Sequence, residues 1–269
     1  MTAAISAGGH TPIAERLHQT AALSWRAVVA LVRQPALVFP SMVFPLFFLA
    51  LGTSSFSRAT RLPGFPEVDS FLDFALAGAI VQGILFGAIT GATALATDIE
   101  NGFFDRLLAA PTWRTSILVG RLAGGTAYGA VQTLVFTAIL VPFGLSVRAG
   151  PVGVVVMAIG GALTALAVGG VMSAMALRTG SSEAVQGSFP LLFIALFFSS
   201  AFFPRQTMDG VYGTIADVNP ISHLVEGFRG LVIDGLEWGY VARTLGISAA
   251  IAALTIVLAG RALHRRATA

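Results

Sequence analysis

Residues 149–177 read AGPVGVVVMAIGGALTALAVGGVMSAMAL, a stretch of 29 residues without a charged side chain. A helix needs about 20 predominantly apolar residues to cross the hydrocarbon core of a bilayer, so this stretch predicts a transmembrane helix. The rest of the chain has the same character: of 269 residues, 55% are hydrophobic and 11% are charged, and the mean hydropathy is +0.82. Soluble domains carry about 25% charged residues, so the composition excludes a water-soluble globule.

Five further uncharged stretches of comparable length predict five more spans, which makes the chain an all-α integral membrane protein. The six spans are expected at approximately 36–57, 73–97, 119–145, 151–177, 185–204 and 241–262. Residues 34–269 thus form a six-span transmembrane domain, preceded by a cytoplasmic segment at 1–33. Six spans place both termini on one side, which collects ten arginines against five acids, whereas the other side has six against eight. The arginine excess predicts that both termini are cytoplasmic, at the cell membrane.

The segment before the first span carries apolar residues at helical spacing. The stripe consists of Ile13, Leu17, Ala21, Trp25, Val28 and Val32, and it follows a helix start at Thr11 and Pro12. Such a helix, with arginines and polar residues on its other face, is expected to lie along the inner membrane surface. A solvated helix packed on a partner is the alternative.

Several kinds of chemistry are excluded by missing residues. The chain has no cysteine, and all 16 basic residues are arginines, so it lacks both a thiolate and the lysine of a phosphate-binding loop. The four histidines are scattered, and no metal site is expected. The spans lack the buried acids or histidines of a proton- or sodium-coupled carrier. Energy is therefore expected to come from another protein. The basic excess fits anionic lipid, and no nucleic acid partner is expected.

Two loops carry the strongest local patterns. The segment DIENGFFDRLLAAPTWR at 98–114 spaces Phe103, Phe104, Leu107 and Leu108 as one helical face, and Pro111 should end that helix at about residue 110. Either this face docks into a groove on another protein, or it folds back onto the membrane surface. In the segment 205–240, Asn219 and Pro220 begin a helix with an apolar stripe. Glu226 and Arg229 lie on the opposite face of this helix, three residues apart and able to pair. It is expected at the outer interface or dipping into the membrane, a surface lid being the alternative.

The span interiors offer only small and amide residues as features. Gly83, Gly87 and Gly91 lie four apart in the second span, and Gln82 and Gln132 lie in the second and third. Small residues let helices approach closely, so helix packing is the first interpretation and a transport path the second.

These motifs together resemble the permeases of type-2 ATP-binding-cassette (ABC) transporters. Glu100, Gly102, Leu107, Leu108, Pro111, Gly120 and Arg121 match the pattern around the first loop. The stretches FFPRQTM at 202–208, VNPISH at 218–223 and EGFRGL at 226–231 look like the daunorubicin/doxorubicin-resistance branch.

The resemblance implies a permease that pairs with a second copy, a homodimer, and with two ABC ATPase subunits that bind ATP and magnesium. This chain itself would bind no cofactor and catalyse nothing. The ATPase would contact a short cytoplasmic coupling helix, and re-entrant or interfacial helices would lie between spans five and six. The coupling residues would be Glu100, Gly102, Phe103, Phe104, Asp105, Arg106, Leu107, Leu108 and Pro111. Asn219, Pro220, Glu226 and Arg229 would complete the family signature with Gly120 and Arg121. Asp105 departs from the glutamate of many relatives, which changes the reach of that carboxylate.

The expected function is export of a hydrophobic or amphiphilic, drug- or lipid-like substrate. One alternative is a non-transporting membrane scaffold or immunity protein. Another is an intramembrane lipid-modifying enzyme, for which the adjacent Ser222 and His223 are a poor nucleophile and base, because neighbouring helical residues point about 100° apart.

Overall fold

The computed structural model describes residues 13–33, 35–61, 64–110 and 113–268. Within these ranges the chain forms α-helices joined by short turns and contains no strand. The helices are α1 (Ile13–Arg33), α2 (Pro35–Phe56), α3 (Phe71–Glu100), α4 (Phe103–Ala109), α5 (Arg114–Leu140), α6 (Gly150–Thr179), α7 (Ser182–Gly187), α8 (Phe189–Phe197), α9 (Gly210–Val218), α10 (Pro220–Ile233), α11 (Trp238–Ala242) and α12 (Ser248–Thr268). The expected helix start at Thr11 and Pro12 lies outside the described residues, as does Pro111.

Five segments are long and apolar enough to cross a membrane. They are Phe39–Phe56, Phe71–Glu100, Arg114–Phe143, Gly150–Thr179 and Trp238–Thr268. The last of these contains a π-helical turn at Arg243–Ile247, which joins α11 to α12. The prediction of an all-helical chain is therefore confirmed, with five candidate spans among the described residues.

The segment predicted as the fifth span is not one continuous helix. It is divided into α7 and α8, which together cover only Ser182–Phe197. The division falls at Ser188, and Pro190 occupies the first turn of α8, where its missing N–H costs no hydrogen bond. The expected helix to residue 204 is therefore wrong, because the chain leaves the helix after Phe197 and turns back toward α9. A crossing by α7 and α8 stays a prediction.

Helix α3 is the centre of the molecule, because most of its side chains are buried. Its first half lies in a core with α10, built around Leu76, Ile80 and Ile84, which we call the α10-side core. Its second half, from Ile89 to Ile99, lies in a core that also contains Phe104 of α4, which we call the α4-side core. The two ends of α3 thus belong to two different packing units.

Glycines allow several helix pairs to approach at backbone distance. A side chain added at Gly129 of α5 would collide with the carbonyl oxygen of Gly161 on α6. Gly120, by contrast, faces Leu23 of α1 rather than a neighbouring span, so its close contact is with the N-terminal helix.

Helix α1 lies along the beginning of α5. The Thr20 hydroxyl lies 2.9 Å from the Ser116 hydroxyl, and the Gln19 side-chain oxygen accepts a hydrogen bond from the Trp113 N–H at 3.1 Å. Trp25 is 70% exposed on α1. The exposed indole fits the expected contact with the membrane surface, which stays a prediction.

Candidate functional site

Helix α4 is attached to the protein by its apolar side chains. Gly102 begins it with a positive φ of 67°, a conformation that residues with side chains rarely adopt. Phe104 is 1% exposed and lies in the α4-side core, which α3, α5, α6, α7 and α12 complete. Leu107 and Leu108 are half-buried against the same core. The structure thus places Phe104 against the chain's own core, an arrangement that neither of the two alternatives for this face described.

The other side of α4 is polar and exposed. Asp105, Arg106 and Ala109 face outward, and the Arg106 guanidinium carbon lies 5.7 Å from the centre of the Phe103 ring. A partner protein that contacts α4 would therefore meet a charged surface. The apolar face, which the spacing offered for docking, is largely occupied.

The residues just before α4 connect it to a second loop on the same end of the molecule. The Glu100 carboxylate accepts hydrogen bonds from the Ser182 N–H at 2.6 Å and from the Ser182 hydroxyl at 2.9 Å. Ser182 is the first residue of α7, so α4 and α7 are tied through the end of α3. Arg121 forms an ion pair with Asp98, two residues before Glu100 in α3. Sequence reasoning missed Ser182, because its 82-residue separation from Glu100 leaves no local signal.

At the opposite end, side chains of the 205–240 segment cap the broken end of α8. The Asn219 amide donates hydrogen bonds to the carbonyl oxygens of Ala195 (2.7 Å) and Phe198 (2.9 Å). Its oxygen accepts from the Ile221 N–H, so Asn219 also caps α10 as predicted. The Tyr212 hydroxyl donates to the carbonyl of Phe197. A helix can end inside an apolar environment only if its free carbonyls find such donors.

Arg229 extends this capping from the middle of α10. Its side chain donates to the carbonyl oxygens of Phe74 (3.2 Å), Ser200 (2.7 Å) and Ala201 (3.2 Å). The guanidinium carbon also lies 3.8 Å from the centre of the Phe74 ring. Burial lowers the pKa of Arg229 to about 9, which still leaves it charged at neutral pH.

The predicted ion pair between Glu226 and Arg229 is wrong. Glu226 accepts a hydrogen bond from Arg205 at 3.0 Å, and Asp217 accepts another from the same guanidinium at 2.6 Å. Burial alone would lower the pKa of Arg205, but the hydrogen bonds and charges of these two carboxylates raise it. Arg205, 21 residues before Glu226, binds the Glu226 carboxylate, while the Arg229 side chain turns inward to the three carbonyl oxygens named above.

The two amides predicted inside the spans are both buried. Gln132 donates to the carbonyl of Ile80 at 3.1 Å and lies against Gly83, whose missing side chain makes room for it. Gln82 is 1% exposed, and no hydrogen bond between the two amides is present. Gln132 thus packs between α5 and α3, whereas the Gln82 side-chain nitrogen is buried without a hydrogen-bond partner among the described residues.

The neighbouring glycines differ from one another. Gly87 lies against the Tyr128 ring, whereas Gly91 has no other atom within 4 Å of a side chain placed there. Of the three glycines predicted in the second span, Gly83 and Gly87 therefore make close helix contacts, and Gly91 borders a small space between α3, α5 and α6.

A row of phenylalanine rings runs along one face of α8. Phe189, Phe193 and Phe197 follow each other with ring centres 5.5 and 4.9 Å apart, and Phe86 of α3 lies 5.3 Å from Phe189. Phe189 and Phe197 are partly exposed. The row presents a stacking surface at the side of the molecule.

The amino-acid sequence matches a known family over most of its length. The model of the ABC-2 type transporter family matches residues 18–233, which includes α4 and the whole of α10. This chain belongs to that family. It is a multi-pass membrane protein related to permeases of ABC transporters.

Two of three similar proteins are drug-resistance permeases, and the third is a transport permease. The daunorubicin resistance ABC transporter permease protein DrrB1 of Streptomyces coeruleorubidus is 29% identical over 268 residues, 98% of this chain and 92% of the relative. The transport permease ycf38 of Pyropia yezoensis is 29% identical over 246 residues, 86% of this chain and 79% of the relative. The doxorubicin resistance ABC transporter permease protein DrrC of Mycobacterium tuberculosis is 28% identical over 161 residues, 58% of each chain. The predicted kinship with the drug-resistance permeases is confirmed.

Proposed function

We propose that this ABC-2 permease is the membrane subunit of an ATP-driven exporter, and that two copies assemble with two separate ABC ATPase subunits. The ATPase subunits bind ATP and magnesium, and this chain supplies the path. Both termini and α4 lie in the cytoplasm, and α7 with α8 provides a sixth crossing. The absence of lysine from the sequence supports a separate motor, because a phosphate-binding loop requires one.

The observation that carries the proposal is the two-sided construction of α4. Its charged face, with Asp105 and Arg106, is open to a partner, while Phe104 is inserted in the α4-side core. A force applied to the charged face would therefore reach the spans through Phe104. Glu100 and Ser182 would carry the same displacement to α7 and α8.

The substrate class proposed is hydrophobic or amphiphilic, such as a drug or a lipid-like molecule. The partly exposed phenylalanine row on α8 supports an apolar or aromatic cargo, since such rings stack but offer no hydrogen bond to an ion or a sugar. Relatives described as daunorubicin and doxorubicin resistance permeases support the same class.

The enzymatic alternative finds no support at Ser222 and His223. The Ser222 hydroxyl accepts a hydrogen bond from the Ser200 N–H at 3.1 Å, whereas the His223 ring nitrogen lies 2.9 Å from the Asp217 carbonyl oxygen. The two groups are engaged in different directions, so the histidine does not contact the hydroxyl it would have to activate.

The decisive experiment combines purification with transport. The tagged chain is purified from its host membranes, and co-purified ATPases are identified by mass spectrometry. The complex is then reconstituted in liposomes, where ATP-dependent movement of a lipophilic fluorescent dye is followed. We expect movement with the ATPase present and none with the chain alone. Nucleotide-driven movement by the chain alone, or a complex without any ATPase, would refute the proposal.

The proposed orientation has an independent test, because the chain contains no cysteine. Asp105→Cys and Asp209→Cys each introduce one thiol. In intact cells an impermeant maleimide should label the second variant and spare the first. Labelling of Asp105→Cys in intact cells would contradict a cytoplasmic α4.

A further inference from the structure

A cavity of about 720 Å³ lies on the side of α8 that faces away from the phenylalanine row. Helices α6, α8 and α10 form most of its wall, and α12 contributes Ile251. Representative wall residues are Val168 of α6, Leu192 and Ala195 of α8, and Leu224 of α10. The volume falls within the range of roughly 300–1,000 Å³ that is typical of ligand sites in proteins.

Among the described residues, the wall offers hydrocarbon contacts and Asn219 is the one polar residue that lines the cavity. Its amide already makes the three hydrogen bonds to Ala195, Phe198 and Ile221 described above. A ligand that needs hydrogen bonds would lose them on entering. An apolar cavity is also a poor site for water, so the occupant that fits is a hydrocarbon chain.

The rim of the cavity is suited to entry from the side. Leu191 is 69% exposed, and Ile194 and Val218 are also exposed at the edge of the cavity. Exposed aliphatic side chains of this kind contact lipid in a membrane protein. An acyl chain that is already in the bilayer could therefore enter the cavity without passing through water.

A charged cluster lies where the cavity meets the end of α9. Asp217 directly precedes Val218 of the rim, and its side chain is 60% exposed. The Asp217 carbonyl oxygen is bonded by Arg205 (3.2 Å) and lies 2.9 Å from the His223 ring. Asp217 is the most exposed member of this cluster, since the side chains of Arg205 and Glu226 are only 27% and 19% exposed, so a positively charged group at the surface would meet the Asp217 carboxylate first.

We propose that this cavity is a lipid site, which binds one acyl chain of a bilayer phospholipid whose headgroup carries an ammonium group. The acyl chain lies between α6, α8 and α10, and the ammonium group of the headgroup lies beside Asp217. A phosphatidylethanolamine has this chemistry. The proposal is independent of the transport function, because binding is measured without nucleotide.

Binding at this site should be selective rather than strong. An acyl chain that moves from the bilayer to the cavity exchanges one apolar environment for another, so hydrophobic transfer contributes little to the binding free energy. The gain comes from filling a space whose walls otherwise lack neighbours, and from the charge contact at the headgroup. The lipid is therefore expected to exchange, and its headgroup should matter.

The test uses proteoliposomes that contain phosphatidylethanolamine with a photoactivatable diazirine on one acyl chain. After illumination, the labelled peptides are mapped by mass spectrometry, and lipid retained after detergent extraction is measured by native mass spectrometry. Label should concentrate on the cavity walls of α6 and α8. Val168→Phe and Ala195→Phe fill the cavity from two different helices, and each should reduce labelling there by about tenfold. The matched control is Val155→Phe, the same change on an exposed face of α6.

The headgroup is tested with an anionic phosphatidylglycerol that carries the same photoactivatable chain. It should be retained several-fold less than the phosphatidylethanolamine, and Asp217→Asn should remove that difference. Label spread evenly over the exposed faces, or a Val155→Phe variant as defective as the two cavity variants, would overturn the chain site. Equal retention of the two lipids by the unmodified protein would overturn the headgroup assignment.

Discussion

Replacing Phe104 by alanine should uncouple transport from ATP hydrolysis while leaving the ATPase bound. The Phe104 ring is 1% exposed in the α4-side core, and truncation of a phenylalanine in such a place costs about 3–5 kcal/mol. Helix α4 has seven residues, too few to be stable by themselves, so most of this loss falls on its attachment to the core. At about 1.4 kcal/mol per factor of ten, the ratio of attached to detached α4 falls by more than about a hundredfold.

The assay measures two quantities on the same preparation, ATP hydrolysis and dye movement into proteoliposomes. Because Asp105 and Arg106 remain in place, the amount of co-purified ATPase should stay within about twofold of the unmodified complex, whereas dye moved per ATP should fall at least about tenfold. Phe143→Ala is the control, since it makes the same change at a position that is 72% exposed and lies outside α4. Normal coupling in Phe104→Ala, or an equal defect in Phe143→Ala, would refute transmission through the buried ring.

Three other predictions concern contacts elsewhere in the molecule. Ser182→Ala removes the hydroxyl hydrogen bond to Glu100, and Glu100→Gln weakens the acceptor of that bond. Each substitution should lower the dye moved per ATP by up to about tenfold, because a hydrogen bond to a charged group is lost or weakened. The double variant should show no further loss. Additive losses would show that the two residues act separately. Gly129→Ala forces α5 away from α6 and should destabilise the protein by about 1–3 kcal/mol, seen as a lower unfolding temperature in detergent, whereas Gly125→Ala meets no atom within 4 Å and should be neutral. Equal unfolding temperatures would contradict the close contact. Arg229→Met leaves the buried carbonyls of Ser200 and Ala201 without the Arg229 donor, at about 1–3 kcal/mol each, whereas the Phe74 carbonyl keeps its bond within α3. It should therefore lower the unfolding temperature more than Arg229→Lys does, and the reverse order would argue against the capping role.

Much of the fold could be predicted because charge is so costly in hydrocarbon. The distances between charged residues predicted the helical segments, including the central α3. The spacing of Phe103, Phe104, Leu107 and Leu108 predicted α4, and the Asn219–Pro220 pair predicted the start of α10. These signals are local, and each depends on residues within a few turns of one another.

The remaining contacts could not be predicted, since they join residues far apart in the chain. The i, i+3 spacing of Glu226 and Arg229 brings them close on α10, but it says nothing about Arg205, which takes Glu226 instead. The break after Phe197 depends on donors from α9 and α10, so the apolar sequence alone suggested a continuous helix. The Glu100–Ser182 contact could not be predicted for the same reason, because the two residues are 82 positions apart in the chain.

Helix α3 has a mechanical consequence that follows from where its ends are held. At its first turn the Phe74 carbonyl receives the Arg229 guanidinium, and at its last residue Glu100 receives Ser182. Thirty residues of α-helix measure about 45 Å, so a single rod reaches from one membrane face to the other. A rod that is clamped at both ends delivers a displacement in one piece, without a relay of intermediate parts. The parts of this permease at the two membrane faces would then move together.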